Sequence, residues 1–282
     1  MVNERRGIGA IRESVALTRQ HARQLLLELG KGARLVEARS RRRNQHIVSQ
    51  SMDEIAQSLI EAQEKARALF AEVVAGGLIV PGKLESELST DIHHLARDRF
   101  GLRRHWHKRI ARAGENTMLG YYDEPEDRRI AADDVVYLDF GPVFEAWEAD
   151  FGRTYVVGSD PVKHRLVADI ESAFERGKEL YRRTPSLTAG ELYDYVVGLA
   201  AEAGWEFGAP TAGHLIGHFP HERDPHDLPR FSVRHGNTTR LREPDAAGLP
   251  RHWILEIHFI DRQRRIGGFF EELLTVDGPA HA

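Results

Sequence analysis

Two aspartates, Asp139 and Asp150, lie eleven residues apart in the apolar stretch VVYLDFGPVFEAWEADFGRT, residues 135–154. Folding this stretch as a hairpin about a midpoint between Phe144 and Glu145 makes them opposed neighbours, with Cβ atoms about 4.5–5.5 Å apart. In so apolar a strand pair the two carboxylates repel each other and lose hydration. Either one keeps its proton or a cation lies between them. The stretch HWILEIHFIDRQRRIGGFFEELLTV near the C-terminus repeats the arrangement, because a midpoint between Gln263 and Arg264 sets Glu256 opposite Glu271. Strand alternation then sends Glu272 to the other face. Four carboxylates gathered in a core carry −4 and need compensation. Two divalent cations would neutralise them, and a neutral histidine would complete the shell. Water held between two such cations is a nucleophile for a carbonyl carbon near neutral pH, which is the chemistry of a two-metal hydrolase. The plainer alternative is that each acid separately finds an arginine or a backbone donor.

Several elements must position these residues. Ser51, with Glu54 three residues on, marks a capping box and opens a helix from Met52 to Ala75, stopped by Gly76-Gly77. Leu84, Leu88, Ile92, Leu95 and Phe100 share one face of a second helix, Leu84 to Arg99. Two more amphipathic helices are predicted over Pro161–Arg182 and Ala189–Ala203, the first capped by Asp160 with Pro161 at its first position. Ile110 and Ala111 belong to a strand, and Gly114–Asn116 to a turn. The segment 212–226, AGHLIGHFPHERDPH, and the polar stretch up to Pro250 are too long for a tight connection and are expected to be a functional loop. Helices flanking antiparallel hairpins define an α+β chain.

Composition narrows the chemistry. The chain of 282 residues has no cysteine, which excludes disulfides, thiolate ligands and thiol nucleophiles, while fifteen histidines are available. No apolar run reaches about 18 residues and no signal-peptide pattern opens the chain, so a cytoplasmic protein without membrane spans is expected. Residues 1–47 hold eleven Lys and Arg against four Glu, a charge of +7 that leaves −11 for the rest of a chain whose total is −4. We expect residues 1–48 to be a basic helical extension, with an apolar stripe over residues 8–29, and residues 49–282 to be the catalytic domain. The extension offers a nucleic-acid surface, but no aromatic side chain interleaves its basic residues, which favours a solvated helix. His221-Glu222 is not H-E-x-x-H, and neither a P-loop nor a G-x-S-x-G is present.

The chain from about residue 50 to 276 resembles the pita-bread metallopeptidases: methionine aminopeptidase, prolidase, aminopeptidase P and their relatives. Asp139-Phe140-Gly141 and Asp150-Phe151-Gly152-Arg153-Thr154 match the family's D-x-G and D-x-x-R-T elements at their spacing. Gly213-His214-Leu215-Ile216-Gly217, with His221-Glu222 following, matches its histidine segment, and Glu256 and Glu271 take the places of its two last ligands. The resemblance implies a curved antiparallel sheet with flanking amphipathic helices. It implies that Asp139 holds one metal, that Asp150 and Glu271 bridge two, and that His214 and Glu256 hold the other. Glu256 would also accept a proton from water, and His221 would contact the substrate carbonyl or the tetrahedral intermediate, with His218 as a competitor near the substrate. The two divalent ions would be manganese, cobalt, iron or zinc. The reaction implied is cleavage of an amide bond near the N-terminus of a short peptide, nearest to Xaa-Pro peptidases. A homodimer is compatible with the resemblance, and the alternative is a catalytically silent relative that binds a partner. One departure stands out. Family members carry a pocket histidine about 17–18 residues before the first aspartate, and here Tyr121 and Tyr122 occupy that place. Tyrosine donates one hydrogen bond but cannot become a cation near neutral pH. His226 and His258 are expected at the pocket rim or in packing, and His105 and His107 at the entrance or the surface.

Overall fold

Alternation along the strands sorts this chain into an apolar outer face and a polar inner one. The computed structural model describes residues 54–219, 230–245 and 248–276. The basic extension with its boundary at 48, His221 and His226 therefore lie outside the described residues.

Helix α1 covers residues 54–75 and α2 covers Glu85–Phe100. Strand β1 (Ile110–Ala113) and a 3₁₀ turn over Gly114–Met118 lead to β2 (Val135–Phe140). A small hairpin of β3 (Val143–Phe144) and β4 (Trp147–Glu148) separates β2 from β5 (Phe151–Val156). Helices α3 (Pro161–Arg183) and α4 (Ala189–Glu202) follow, each with the expected start. Asp160 accepts a hydrogen bond from the Val162 N–H, and Thr188 and Glu191 form a capping box on α4. Strands β6 (Glu206–Phe207), β7 (Leu215–Ile216), β8 (His252–Asp261) and β9 (Ile266–Leu273) complete the described elements.

The sheet is antiparallel, in the order β1-β2-β5-β9-β8-β6, with β7 on the other part of β8's free edge. Two helix pairs back it. Leu69 and Phe70 of α1 and Leu88 and Ile92 of α2 pack on Val136, Leu138, Phe140 and Phe151. Leu166, Ile170 and Phe174 of α3, with Leu192 and Val196 of α4, pack on Leu255, Ile257, Phe259 and Phe270. Phe140, Phe151, Phe174 and Phe259 are all under 2% exposed, and burying a side chain of that size contributes about 1.5–3 kcal/mol. The helix-backed face thus supplies the cohesion, and the opposite face is free to carry charge.

The β8–β9 hairpin has the expected register, Glu256 opposite Glu271, around a four-residue turn at residues 262–265. The first hairpin differs. Asp139 faces Gly152 rather than Asp150, because the chain reverses at Glu145-Ala146, inside the β3–β4 hairpin, not before Glu145. Glu145 takes the left-handed conformation at the turn, φ 59°. A shift of two residues keeps every side chain on its face, so Asp150 remains on the side of Asp139 as a diagonal neighbour.

Candidate metal centre

Register assembles the centre. Asp139 on β2 faces Gly152 on β5, Gly152 faces Glu271 on β9, and Glu271 faces Glu256 on β8. One row across four strands therefore presents three carboxylates to the same face, and Asp150 joins them two residues before Gly152. His214 arrives along the edge of β8, where Ile254 N–H bonds the His214 carbonyl at 3.0 Å and Glu256 N–H bonds the Ala212 carbonyl at 3.1 Å. Gly213 makes that approach feasible: its φ is +134° and a Cβ there would overlap the Ile254 carbonyl.

The D-x-x-R-T segment joins the two hairpins. Asp150 points into the centre, while Arg153 leaves by the other face. Its guanidinium lies 4.0 Å from the Phe151 ring centre and 3.8 Å from that of Phe270, and pairs with Glu272. It also donates to the carbonyl of Glu271 at 3.2 Å. Thr154 Oγ1 accepts from Phe269 N–H at 2.7 Å and donates to the Phe269 carbonyl at 2.8 Å. These contacts stand in for a ladder in which only Gly152 and Glu271 pair. Glu272, held by Arg153 and by Arg67 at 3.0 Å, is excluded from the centre, as alternation predicts.

A histidine that the sequence left at the entrance or surface lies inside. The His107 side chain is 5% exposed, with Nε2 3.0 Å from Asp150 Oδ1 and 3.5 Å from Asp139 Oδ1. His214 Nε2 lies 3.3 Å from Asp150 Oδ2 and 3.5 Å from Glu256 Oε1. No motif spacing pointed to His107. Its nearest signal was position, three residues before Ile110, which the fold pairs with Asp139.

The charges are strongly coupled. Burial raises the Asp139 carboxyl to about 7, opposed by His107 and reinforced by Asp150 and Glu256. Burial lifts Glu256 to about 7 in the same way, and lifts Glu271 well above the usual carboxylate range with help from Asp150 and Asp139. Asp150 goes the other way, since His107 and His214 outweigh its burial and hold it below the ordinary value. Burial depresses the His107 imidazolium, but Asp150 and Asp139 overcome that and lift it to about 9, and His214 is raised for the same reason. Protons and imidazolium charge thus offset part of the acid cluster.

A divalent cation fits these residues. Glu271 is 2% exposed, and its Oε2 is buried without a hydrogen-bond partner, a loss of about 1–3 kcal/mol unless something binds it. Donor atoms of His107, Asp139 and Asp150 all lie within 4.8 Å of one another, as do those of Asp150, His214 and Glu271. Asp150 belongs to both groups. A cavity of about 440 Å³ opens beside them, lined by Trp106, Met118, Leu119, Pro210 and Arg262. This lies within the range of about 300–1,000 Å³ for small-ligand sites.

The remaining expected residues are placed as follows. Tyr121 and Tyr122 line the cavity and are 39% and 89% exposed. His218 is exposed and packs edge-on against Trp147, with ring centres 5.2 Å apart. His258 is buried with its Nε2 2.9 Å from the Thr117 carbonyl, and burial pushes its pKa down to about 4, so it stays neutral. His105 packs edge-on against Phe140.

A cluster of carboxylates and imidazoles thus lies on the open face of a helix-backed antiparallel sheet. Residues 57–247 match the description of metallopeptidase family M24, and the chain belongs to that family. It is 28% identical over 187 residues to an Xaa-Pro dipeptidase of Pyrococcus horikoshii, and 28% identical over 177 residues to one of Pyrococcus furiosus. These alignments cover 65% and 61% of the chain, so the chain spans about half the length of those curated relatives (50% and 48%). Among solved structures it is similar to a prolidase from Pyrococcus furiosus, TM-score 0.61 at 22% identity over 81% of this chain and 62% of that one. It is also similar to an X-Pro aminopeptidase from Thermotoga maritima, TM-score 0.63 at 22% identity over 83% of this chain and 63% of that one. The fold is the pita-bread fold.

Proposed function

We propose that the chain is a di-metal hydrolase cleaving an amide bond near the N-terminus of a short peptide or peptide-like compound, in the manner of an Xaa-Pro peptidase. The observation that carries this reading is the sharing of Asp150 between two ligand groups, one reaching Asp139 and the other His214 and Glu271. Asp139, Asp150, His214, Glu256 and Glu271 would hold the ions. Two divalent cations supply Lewis acidity and make water a nucleophile near neutral pH. The chain's own residues do the rest. Glu256, in the cavity wall, accepts the proton of the attacking water and passes it towards the departing amine. Tyr121 and Tyr122, at the cavity mouth, orient the substrate through a phenol hydrogen bond and ring contact. His221 meets the substrate carbonyl, with His218 as its competitor near the substrate. A cytoplasmic place of action belongs to the same proposal.

The test pairs metal content with turnover. Wild-type protein is supplemented with Mn, Co, Fe or Zn and assayed on a panel of Xaa-Pro dipeptides beside Glu256→Gln. Two equivalents of metal are expected, with hydrolysis that falls by about 10²–10⁴-fold in the variant. Protein that binds no metal sinks the reading. Bound metal without turnover of any peptide would make the chain a silent, binding relative.

A further inference from the structure

We infer that His107 is a sixth protein ligand, so that the centre holds its two ions with one imidazole each; the inference rests on the di-metal reading above. The two halves of the sheet are the first reason. In chain order each consists of two helices followed by the strands of its own half of the sheet, and the sheet order β1-β2-β5-β9-β8-β6 relates them about the β5–β9 joint. One half presents Asp139 and Asp150, the other Glu256 and Glu271. His214 reaches Glu256 of the second pair and the shared Asp150, and His107 is its counterpart at Asp139 and the same Asp150.

Tautomer geometry is the second reason. His107 Nδ1 lies 2.6 Å from the carbonyl of Lys108, and His214 Nδ1 lies 2.7 Å from the carbonyl of Leu215. A carbonyl oxygen only accepts, so both Nδ1 atoms carry hydrogen and both Nε2 atoms face the carboxylates, where a cation would displace the Nε2 proton and take the lone pair. That is how a ligating imidazole is oriented by its second nitrogen. The two rings also divide Asp150 between them, His107 at Oδ1 and His214 at Oδ2.

Spacing and support agree. Metal–ligand bonds of about 2.1 Å set neighbouring ligand atoms about 3.0 Å apart at a right angle and about 3.4 Å apart at the tetrahedral angle. The Nε2-to-carboxylate distances, 3.0 and 3.5 Å for His107 and 3.3 and 3.5 Å for His214, fall at those separations. The neighbouring chain holds the ring there. Trp106 N–H bonds the Gly141 carbonyl at 2.8 Å, its indole N–H bonds the Ala149 carbonyl at 2.9 Å, and Val143 N–H bonds the Arg104 carbonyl at 3.1 Å. Gly141, the glycine of D-x-G, leaves the room, since a Cβ there would overlap the His107 ring and the Trp106 indole nitrogen. Glu271 Oε2, buried and unpartnered, points to a ligand still to be bound in the same cluster. A second imidazole would move metal preference from manganese towards zinc, cobalt or iron.

The experiment loads the full-length protein with Co(II) and counts solvent-exchangeable, paramagnetically shifted imidazole N–H signals by proton NMR. A parallel titration measures metal affinity and stoichiometry against a chelating dye. Two shifted N–H signals are expected in the wild type, from Nδ1 of His107 and His214. His107→Ala should lose one of them, and one of the two metal equivalents should bind at least about tenfold more weakly while the other is unchanged. One signal in the wild type, with two equivalents bound, overturns the inference and leaves the di-metal reading standing. So does a variant that keeps both equivalents at wild-type affinity. Wild-type protein that takes up no cobalt removes both. Because the wild-type count needs no variant, misfolding of His107→Ala would not rescue the idea.

Discussion

The two halves of the sheet present their acids by different means. In the β8–β9 half, long strands meet at a four-residue turn and Glu256 and Glu271 are paired directly. In the β2–β5 half a second small hairpin interrupts the strands, and Asp139 and Asp150 sit two positions out of register. The first arrangement is set locally, by turn and alternation. The second is set from outside, by the Trp106 segment bonded across both strand ends and by the Arg153-Thr154 splice to β9. A ligand pair specified by remote contacts is the more sensitive to distant substitution.

That contrast can be broken or sharpened, beginning with the joint between the halves. Arg153→Met leaves Glu272, 8% exposed, with Arg67 as its only remaining cation among the described residues. Because Arg67 still pairs Glu272, the expected loss in urea unfolding is that of a charged hydrogen bond, about 1.5–3 kcal/mol; a loss under about 1 kcal/mol would show that the joint does not depend on this pair. Thr154→Val deletes both side-chain bonds to Phe269 and should cost about 1–2 kcal/mol, with weaker metal binding as β9 loosens beside Glu271. Unchanged metal affinity would detach the splice from the centre.

Trp106→Phe removes one indole bond, to the Ala149 carbonyl, worth about 1 kcal/mol. Hydrogen exchange should then speed up in β2 and β5 and stay unchanged in β8 and β9. Equal changes in both hairpins would contradict the claim that only one is held from outside. The smallest effect concerns pH at the start of β8. Burial lowers the His252 pKa, and its Nε2 is buried without a hydrogen-bond partner. The unfolded chain takes up the proton first as pH falls below about 6.5, so stability is complete above that pH and declines on acidification. His252→Leu should flatten the fall in Tm between pH 7 and pH 5 by no more than about 4 °C. A steeper fall would reverse the sign of this argument.

Much of this was legible without coordinates. The four acids, the four helices and the faces of β2, β5, β8 and β9 follow from residue types at periods of 2 and 3.6, because those periods restate which side of an element meets the core. The β8–β9 register also followed from a short turn between two uninterrupted apolar runs. Even the error in the first hairpin was harmless to the site, since a two-residue shift preserves the face.

What the linear order could not convey is convergence between distant segments. Gly152 lies between Asp139 and Glu271 only because β5 and β9 are neighbours in the sheet, although they are separated in the chain by two helices and three other strands. His107 belongs to no periodic face and sits 32 residues before Asp139; it reaches the acids because Gly141 leaves room for its ring and Trp106 bonds both strand ends. Residue chemistry and alternation are properties of the chain itself. Which donors share one cation-sized space depends on long-range packing, and that is where the second histidine was hidden.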